Sequence, residues 1–303
     1  MTQTVLILGG NGKIGTHASE AFWKAGWTVR QFDRTRDDMV QAAQGVDVIV
    51  NGLNPPNYHN WAKIIPEITG RVIAAAKASG ASVIIPGNVY NFGDRPGIWG
   101  AETQQNPNTR KGRIRSEMEQ TYRASGVQTI ILRAGHFIDP YQNQDIFSMV
   151  IMRNVASGKI TTLGDPDAQQ AYAFLPDWAD AAVRLAEIRG TLRAFEDVPF
   201  PGHSFSIAEL RQRVAACIRQ DIRITHFPWW LMTMTSPFWE LAREMREMRY
   251  LYGTTHRLDG ARVEALLPEF SATDLDTVIR AGLPRDINPH QIMPTRQHPI
   301  IAE

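Results

Sequence analysis

At 303 residues, with 43% apolar and 21% charged side chains, the chain has the composition of a folded globular protein of one large or two modest domains. Thirty-two basic side chains against thirty-one acidic ones leave a net charge of +1, which excludes a general electrostatic drive toward nucleic acid or acidic membranes. The single cysteine, Cys217, excludes an internal disulfide and fits a reducing cytoplasm. Its helical run LRQRVAACIRQ predicts a small buried apolar side chain there.

The first element is the strand-like run VLIL at 5–8, with no basic segment before it, so no signal peptide is expected. It opens a pattern in which a helix-like stretch ends in glycine and a short β-branched run follows. The junctions are KAGWTVRQF at Gly26, AQGVDVIVN at Gly45, ASGASVIIP at Gly80 and ASGVQTIIL at Gly126. Glycine suits the left-handed residue past a helix end, and an uninterrupted apolar strand suits a sheet covered on both faces. The alternation predicts a parallel α/β sheet, doubly wound in the Rossmann manner.

Between the first strand and helix lies LILGGNGKIG, with Gly9, Gly12 and Gly15 in GxxGxxG spacing. That context predicts a dinucleotide site: tight turn, close backbone approach to pyrophosphate, and exposed amides at the helix start, flanked by Lys13 and Ile14. The second strand ends at Asp33, where a carboxylate binds adenosine ribose hydroxyls and favours NAD. Arg34, Arg36 and Lys13 argue the other way, since together they could neutralise the 2′-phosphate of NADP. The expected cofactor is therefore NAD or NADP, with NAD slightly favoured.

After about residue 195 the alternation fades. FWELAREMREMRYLY places Phe238, Leu241, Met245, Met248 and Tyr252 on one helical face, predicting a core stripe or a cavity lining. FPWWLMTMTSPFW is broken by Thr, Ser and Pro and too short to span a bilayer. Prolines at 284, 289, 294 and 299 predict an extended tail. The domain reading is a dinucleotide-binding unit at 1–165 with a contribution from about 170–215, then a mainly helical substrate unit and tail at 216–303. The eight histidines show no metal-ligand spacing, and no GxSxG elbow is present, so neither a metal nor a hydrolase triad is expected.

The glycine loop, Asp33 and these strands resemble the extended and atypical short-chain dehydrogenase/reductases, the NAD-dependent epimerase/dehydratase group. VDVIVNG (with Asn51), PGNVYNFG, LRAGHFIDP, FLPDWADAAVRLAE and RLDGARVEALLPEFSATDL resemble successive family segments through most of the chain. The resemblance implies a Rossmann domain with a smaller C-terminal substrate domain, a small-molecule substrate bound between them, and a homodimer through the helices near 61–79 and 109–125.

The catalytic signature departs from the family. Where its members carry Tyr-x-x-x-Lys followed by Glu, TRKGRIRSEMEQ places Lys111, Arg115 and Glu119, and the family's serine is replaced within Ile85-Pro86-Gly87-Asn88. Arg115 can still bond the nicotinamide ribose. Lys111 could act as an acid or an oxyanion-stabilising cation, Tyr90 is the nearest replacement phenol, and Asn88 could orient it. The plain alternative makes Lys111, Arg115 and Glu119 solvent-exposed ion pairs at i, i+4 and i+8. His136 stands where it could face a substrate, though a loop histidine is more often structural. Two functions follow. One is an NAD(P)-dependent oxidoreductase or epimerase/dehydratase on a carbonyl or hydroxyl compound, nucleotide sugars being the family's commonest substrates. The other is a silent NAD(P)-binding redox sensor of the NmrA-like kind.

Overall fold

The computed structural model describes residues 2–142, 145–285 and 287. Six parallel strands form its main sheet: β1 (Thr4–Leu8), β2 (Thr28–Phe32), β3 (Val48–Asn51), β4 (Ser82–Gly87), β6 (Thr129–Arg133) and β10 (Phe195–Pro199). The short β5 (Gly97–Trp99) lies between the fourth and fifth of them in the chain. Across the sheet the order is β10-β6-β4-β3-β1-β2. The order reverses at β1, which pairs with both β2 and β3, and this switch point is where a doubly wound sheet opens its ligand crevice.

The connecting helices are α1 (Lys13–Lys24), α2 (Met39–Ala42), α3 (Trp61–Ser79), α4 (Arg110–Ser125) and α5 (Leu175–Glu187). On one face of the sheet Ala18 and Phe22 of α1 pack with Trp178, Ala182 and Leu185 of α5. On the other, Ile65 and Val72 of α3 meet Ile114, Met118 and Tyr122 of α4. Gly26, Gly45, Gly80 and Gly126 all have φ between +70° and +83°, and no atom lies within 4 Å of a Cβ built on any of them. Backbone conformation rather than space demands glycine at these four junctions.

The remaining strands form small sheets: β7 (His136–Ile138) with β9 (Gln170–Phe174) and β11 (His203–Phe205), and β8 (Lys159–Thr162) with β12 (Arg223–His226). A strand at His256–Leu258, β13, pairs with β5. Helices α6 (Ile207–Ile218), α7 (Trp229–Thr235), α8 (Glu240–Glu247), α9 (Ala261–Leu266) and α10 (Leu275–Ala281) complete the described chain. A second core joins Phe147, Tyr172, Phe205, Leu210, Val214, Trp229 and Val278.

Two local expectations change, and a third lies largely outside the described residues. Cys217 is exposed: it lies in the last turn of α6, one residue before the helix ends at Ile218. The stripe drawn from Phe238 to Tyr252 is interrupted, since α8 ends at Glu247 and a 3-10 turn covers Arg249–Gly253. Met248 is buried while Phe238, ahead of the helix, is 94% exposed. Of the proline-rich tail, 289, 294 and 299 lie outside the described residues.

Candidate active site

The glycine loop joins β1 to α1 through a turn in which Gly12 N donates to Gly9 O at 2.9 Å. Gly9 has φ +79°, and a Cβ there would press on the Gly52 carbonyl at 3.0 Å. A Cβ on Gly15 would collide with the Gly9 carbonyl oxygen and lie 2.7 Å from Gly10 Cα, so this glycine lets α1 close onto the loop. Gly12 is different: its Cβ would meet only Gly9 O, at 3.3 Å. The exposed side of Gly12 is open, as a pyrophosphate-binding backbone must be. Ile14 is a buried core residue against β1 and β3.

At the end of β2, Asp33 Oδ1 accepts from the Thr35 amide and hydroxyl at 2.9 and 2.6 Å, and Oδ2 pairs with Arg36 at 3.1 Å. The Thr35 hydroxyl and amide, with Arg36 and Arg34 near, hold this carboxyl below its usual range. Arg34 is exposed beside it. Lys13 does not complete a basic trio around this turn. Burial draws its ammonium below the usual lysine range, while Asp145 and Asp139 pull the other way. Lys13 thus belongs to a polar face of α1 that the spacing argument missed. On that face His17 bonds Asp139 at 2.9 Å and stacks on Tyr141 at 4.8 Å, while the Tyr141 hydroxyl donates to Glu20 at 2.8 Å. Its one sequence signal is the polar spacing 13, 17, 20 on a helix otherwise buried on that side.

Asn51, at the end of β3, is buried, with its amide 3.4 Å from the Tyr122 hydroxyl and its carbonyl accepting from Leu53 N. The loop beyond carries the most unusual backbone in the molecule: Asn57, Tyr58 and Asn60 have φ of 54°, 59° and 46°. A bulky residue in the left-handed region costs about 1–3 kcal/mol and persists only when its surroundings impose it. Here Trp61 packs on Tyr58 at 5.1 Å, the Lys111 ammonium lies 5.0 Å over its ring, and His59 bonds Glu240 of α8 at 2.8 Å.

A Cβ at Gly87 would lie 2.5 Å from Ile131 Cγ2 and 3.0 Å from Arg133 Cα, so no side chain fits there. Asn88 Oδ1 accepts from Tyr90 N at 3.0 Å, shaping the turn that presents Tyr90. A Cβ at Gly112 would lie 2.5 Å from the Tyr90 carbonyl, so this glycine brings the start of α4 against the Tyr90 loop. The Tyr90 hydroxyl stands 3.4 Å from that of Tyr58.

On α4 the three charged positions take three different partners, and the reading of them as solvent-exposed pairs fails. Lys111 is fully buried. Its Nζ donates to the Glu244 carbonyl at 3.1 Å, to the Glu244 carboxylate and to Glu247 Oε2 at 2.8 Å. An ammonium has three protons, so none remains for a substrate oxygen. The acid or oxyanion role expected for Lys111 gives way to one of fastening α8 onto α4. Against the pull of burial, Lys111 and Arg110 hold the Glu244 carboxyl below its usual range. Glu119 is turned inward to Arg133, whose guanidinium also grips Asp197 at 2.6 Å and the Asn88 carbonyl at 2.6 Å.

Arg115 stacks over Trp61 at 4.8 Å and donates to Asn54 Oδ1 at 3.0 Å. Its Nε and Trp61 Nε1 are buried with no hydrogen-bond partner among the described residues. Burial lowers the guanidinium's proton affinity, while Tyr90, Glu119 and Tyr58 raise it. His136 bonds Gln170 at 3.0 Å and stacks on Tyr252 at 5.3 Å, and burial together with His256 lowers it to about 4. It stays neutral at ordinary pH. Two cavities of about 550 and 530 Å³ share Trp229 and Arg249, the first lined also by Arg110 and the second by Leu163. No group of three or more His, Cys, Asp or Glu among the described residues could hold a metal.

No curated protein matches the chain. Among solved structures, UDP-glucuronic acid 4-epimerase from Bacillus cereus in complex with NAD is 14% identical, with a TM-score of 0.73 over 95% of this chain and 99% of that one. A nucleoside-diphosphate-sugar epimerase from Pseudomonas aeruginosa is 17% identical, with a TM-score of 0.67 over 95% and 98%. MoeE5 in complex with UDP-glucose and NAD is 14% identical, with a TM-score of 0.70 over 92% and 97%. These likenesses are of fold. The model of the NAD dependent epimerase/dehydratase family matches residues 5–196, which holds the glycine loop, the Tyr90 turn and α4, and the chain belongs to that family.

Proposed function

We propose that the chain is an NAD(P)-dependent oxidoreductase or epimerase/dehydratase acting at a carbonyl or hydroxyl carbon of a small molecule, with nucleotide sugars the first class to test. The observation that carries this reading is the unpaired Nε of Arg115, buried beside Tyr90 on the crevice edge of the sheet. A buried guanidinium nitrogen without an acceptor is costly unless a ligand supplies one, and a ribose hydroxyl is an acceptor of the right chemistry. The open glycine loop fits the pyrophosphate of the same molecule. When bound, the nicotinamide supplies the hydride acceptor or donor. The chain's own residues then position and protonate: Arg115 holds the ribose, and Tyr90, fixed by Asn88, exchanges the proton of the substrate oxygen. Lys111 secures α8 behind them. The names of the similar structures, which bind NAD with UDP-glucose or UDP-glucuronic acid, support this substrate class. They offer nothing for a silent sensor.

The Asp33 carboxylate at the end of β2 favours NAD, by accepting from the ribose hydroxyls and repelling a 2′-phosphate. A cytoplasmic homodimer through α3 and α4 completes the proposal. The test is calorimetric titration of NAD and NADP, followed by incubation with UDP-glucuronic acid, UDP-glucose and simple aldehydes, reading absorbance at 340 nm for net oxidation or reduction and chromatography of the products for redox-neutral epimerisation or dehydration. Tighter NAD binding and turnover of one of these is the expected result. Binding without turnover of any would leave the sensor reading in its place.

A further inference from the structure

We propose that Tyr58 is a positioning residue for the proton step: its hydroxyl holds the Tyr90 oxygen and stabilises that oxygen when it carries negative charge. This rests on the reading of Tyr90 as the proton-exchanging group. Tyr58 belongs to no motif and lies in a loop far from α4 in sequence. Yet three left-handed residues in a row of four bring its hydroxyl to 3.4 Å from that of Tyr90. Strain of this kind is retained where the surrounding structure over-determines it, and here the surroundings are the site itself. Trp61 and Lys111 clamp the ring, while His59 anchors the next residue to α8.

The two phenols have unequal surroundings. The neighbouring Tyr90 and then burial push Tyr58 well above the ordinary phenol range, with Tyr252 adding to this and only Arg115 opposing it. Tyr58 therefore stays protonated and can donate. In the proton step the Tyr90 O–H bond breaks, an O–H bond forms on the substrate oxygen, and the electron pair stays on the Tyr90 oxygen. That oxygen then accepts from Tyr58 and faces the charge of Arg115. In the reverse direction the same proton returns to Tyr90. The family's single phenol with a lysine beside it is thus replaced by two phenols with an arginine beside them.

The test uses Tyr58→Phe, which deletes one hydroxyl and keeps the ring that Trp61 and Lys111 pack against. Two readouts are needed. In the first, ultraviolet ionisation of the tyrosines is followed near 295 nm without cofactor, for the wild type, Tyr58→Phe, Tyr90→Phe and the double variant. Coupling predicts that Tyr58→Phe removes one ionisation and moves another to higher pH. Independent, additive ionisations overturn the proposal. The second readout is turnover with NAD and whichever sugar nucleotide the wild type accepts. Tyr58→Phe should lower kcat roughly ten- to a hundredfold, the effect of a hydrogen bond to a charged group. The pH–rate profile should move upward, with the dissociation constant for NAD unchanged. An unchanged profile in a folded variant overturns the proposal while leaving the oxidoreductase reading intact. A wild type that turns over nothing defeats that reading instead, and the ionisation result then decides the phenol pair alone.

Discussion

Gly12 and Gly15 lie three residues apart in one loop, and substitution should separate their roles. Gly15→Ala places a methyl against the Gly9 carbonyl and Gly10 Cα, with no flexible side chain to give way. It should destabilise the fold by about 1–3 kcal/mol, read as a lower urea midpoint with or without cofactor. Gly12→Val meets only Gly9 O inside the protein. It should fold nearly normally and lose the thermal stabilisation that NAD confers on the wild type. Retention of that stabilisation would remove the pyrophosphate from this loop. These glycines were legible because spacing between a strand and a helix is a local property. Tyr58 was not, since its significance lies in a backbone angle and a neighbour 32 positions away. The missing serine was legible as a departure, whereas the close approach of β4 to β6 at Gly87 was not.

At the level of the elements, α4 is held from both ends by charges that come from elsewhere. Lys111→Met would leave Glu244 and Glu247 facing a buried apolar group, and removing one partner of such a pair typically costs about 3–5 kcal/mol. The expected outcome is a large fall in stability, measured by urea unfolding, with no selective change in NAD affinity. Adding Glu244→Gln and Glu247→Gln to that variant should recover part of the loss, because two amides and a methionine need no counter-charge. A rate defect in a fully stable Lys111→Met protein would instead return this residue to the chemistry. The periodicity at 111, 115 and 119 correctly placed the three residues on one helix. It could not show their partners, which include residues 244, 247, 54, 61 and 133. Helix spacing reports faces, and long-range ion pairs leave no such trace.

For the whole molecule, two histidines with lowered proton affinity set an acid limit. Burial lowers His136, with His256 adding to the effect, and burial lowers His256 against its bond to the Thr254 carbonyl; both fall to about 4. The unfolded chain takes up these protons near pH 6.5, before the folded one does, so stability is full above that pH and declines as pH falls toward 4. Between pH 7 and 5 the loss should be of order 2 kcal/mol for each histidine. Urea midpoints at the two pH values check this, and His256→Gln should flatten the dependence. The parallel, doubly covered sheet was readable from four glycine junctions and the apolar runs after them. The place of β10 beside β6 was not, because FEDVP carries two adjacent acidic residues instead of a continuous apolar run and follows several small strands.

Arg133 carries one more consequence, for the order in which a growing chain can finish this site. Its guanidinium gathers Glu119 from α4, the carbonyl of Asn88 ahead of Tyr90, and Asp197 from the last strand of the sheet. A ribosome that has released the chain only through β6 has made the arginine and Glu119 but not Asp197. Lys111 waits longer still, for Glu244 and Glu247. The glycine loop can therefore take shape early, while the turn that presents Tyr90 matures only after residue 197 has emerged and α4 after residue 247. A fragment cut at residue 165 would end with an arginine lacking one carboxylate and a lysine lacking both.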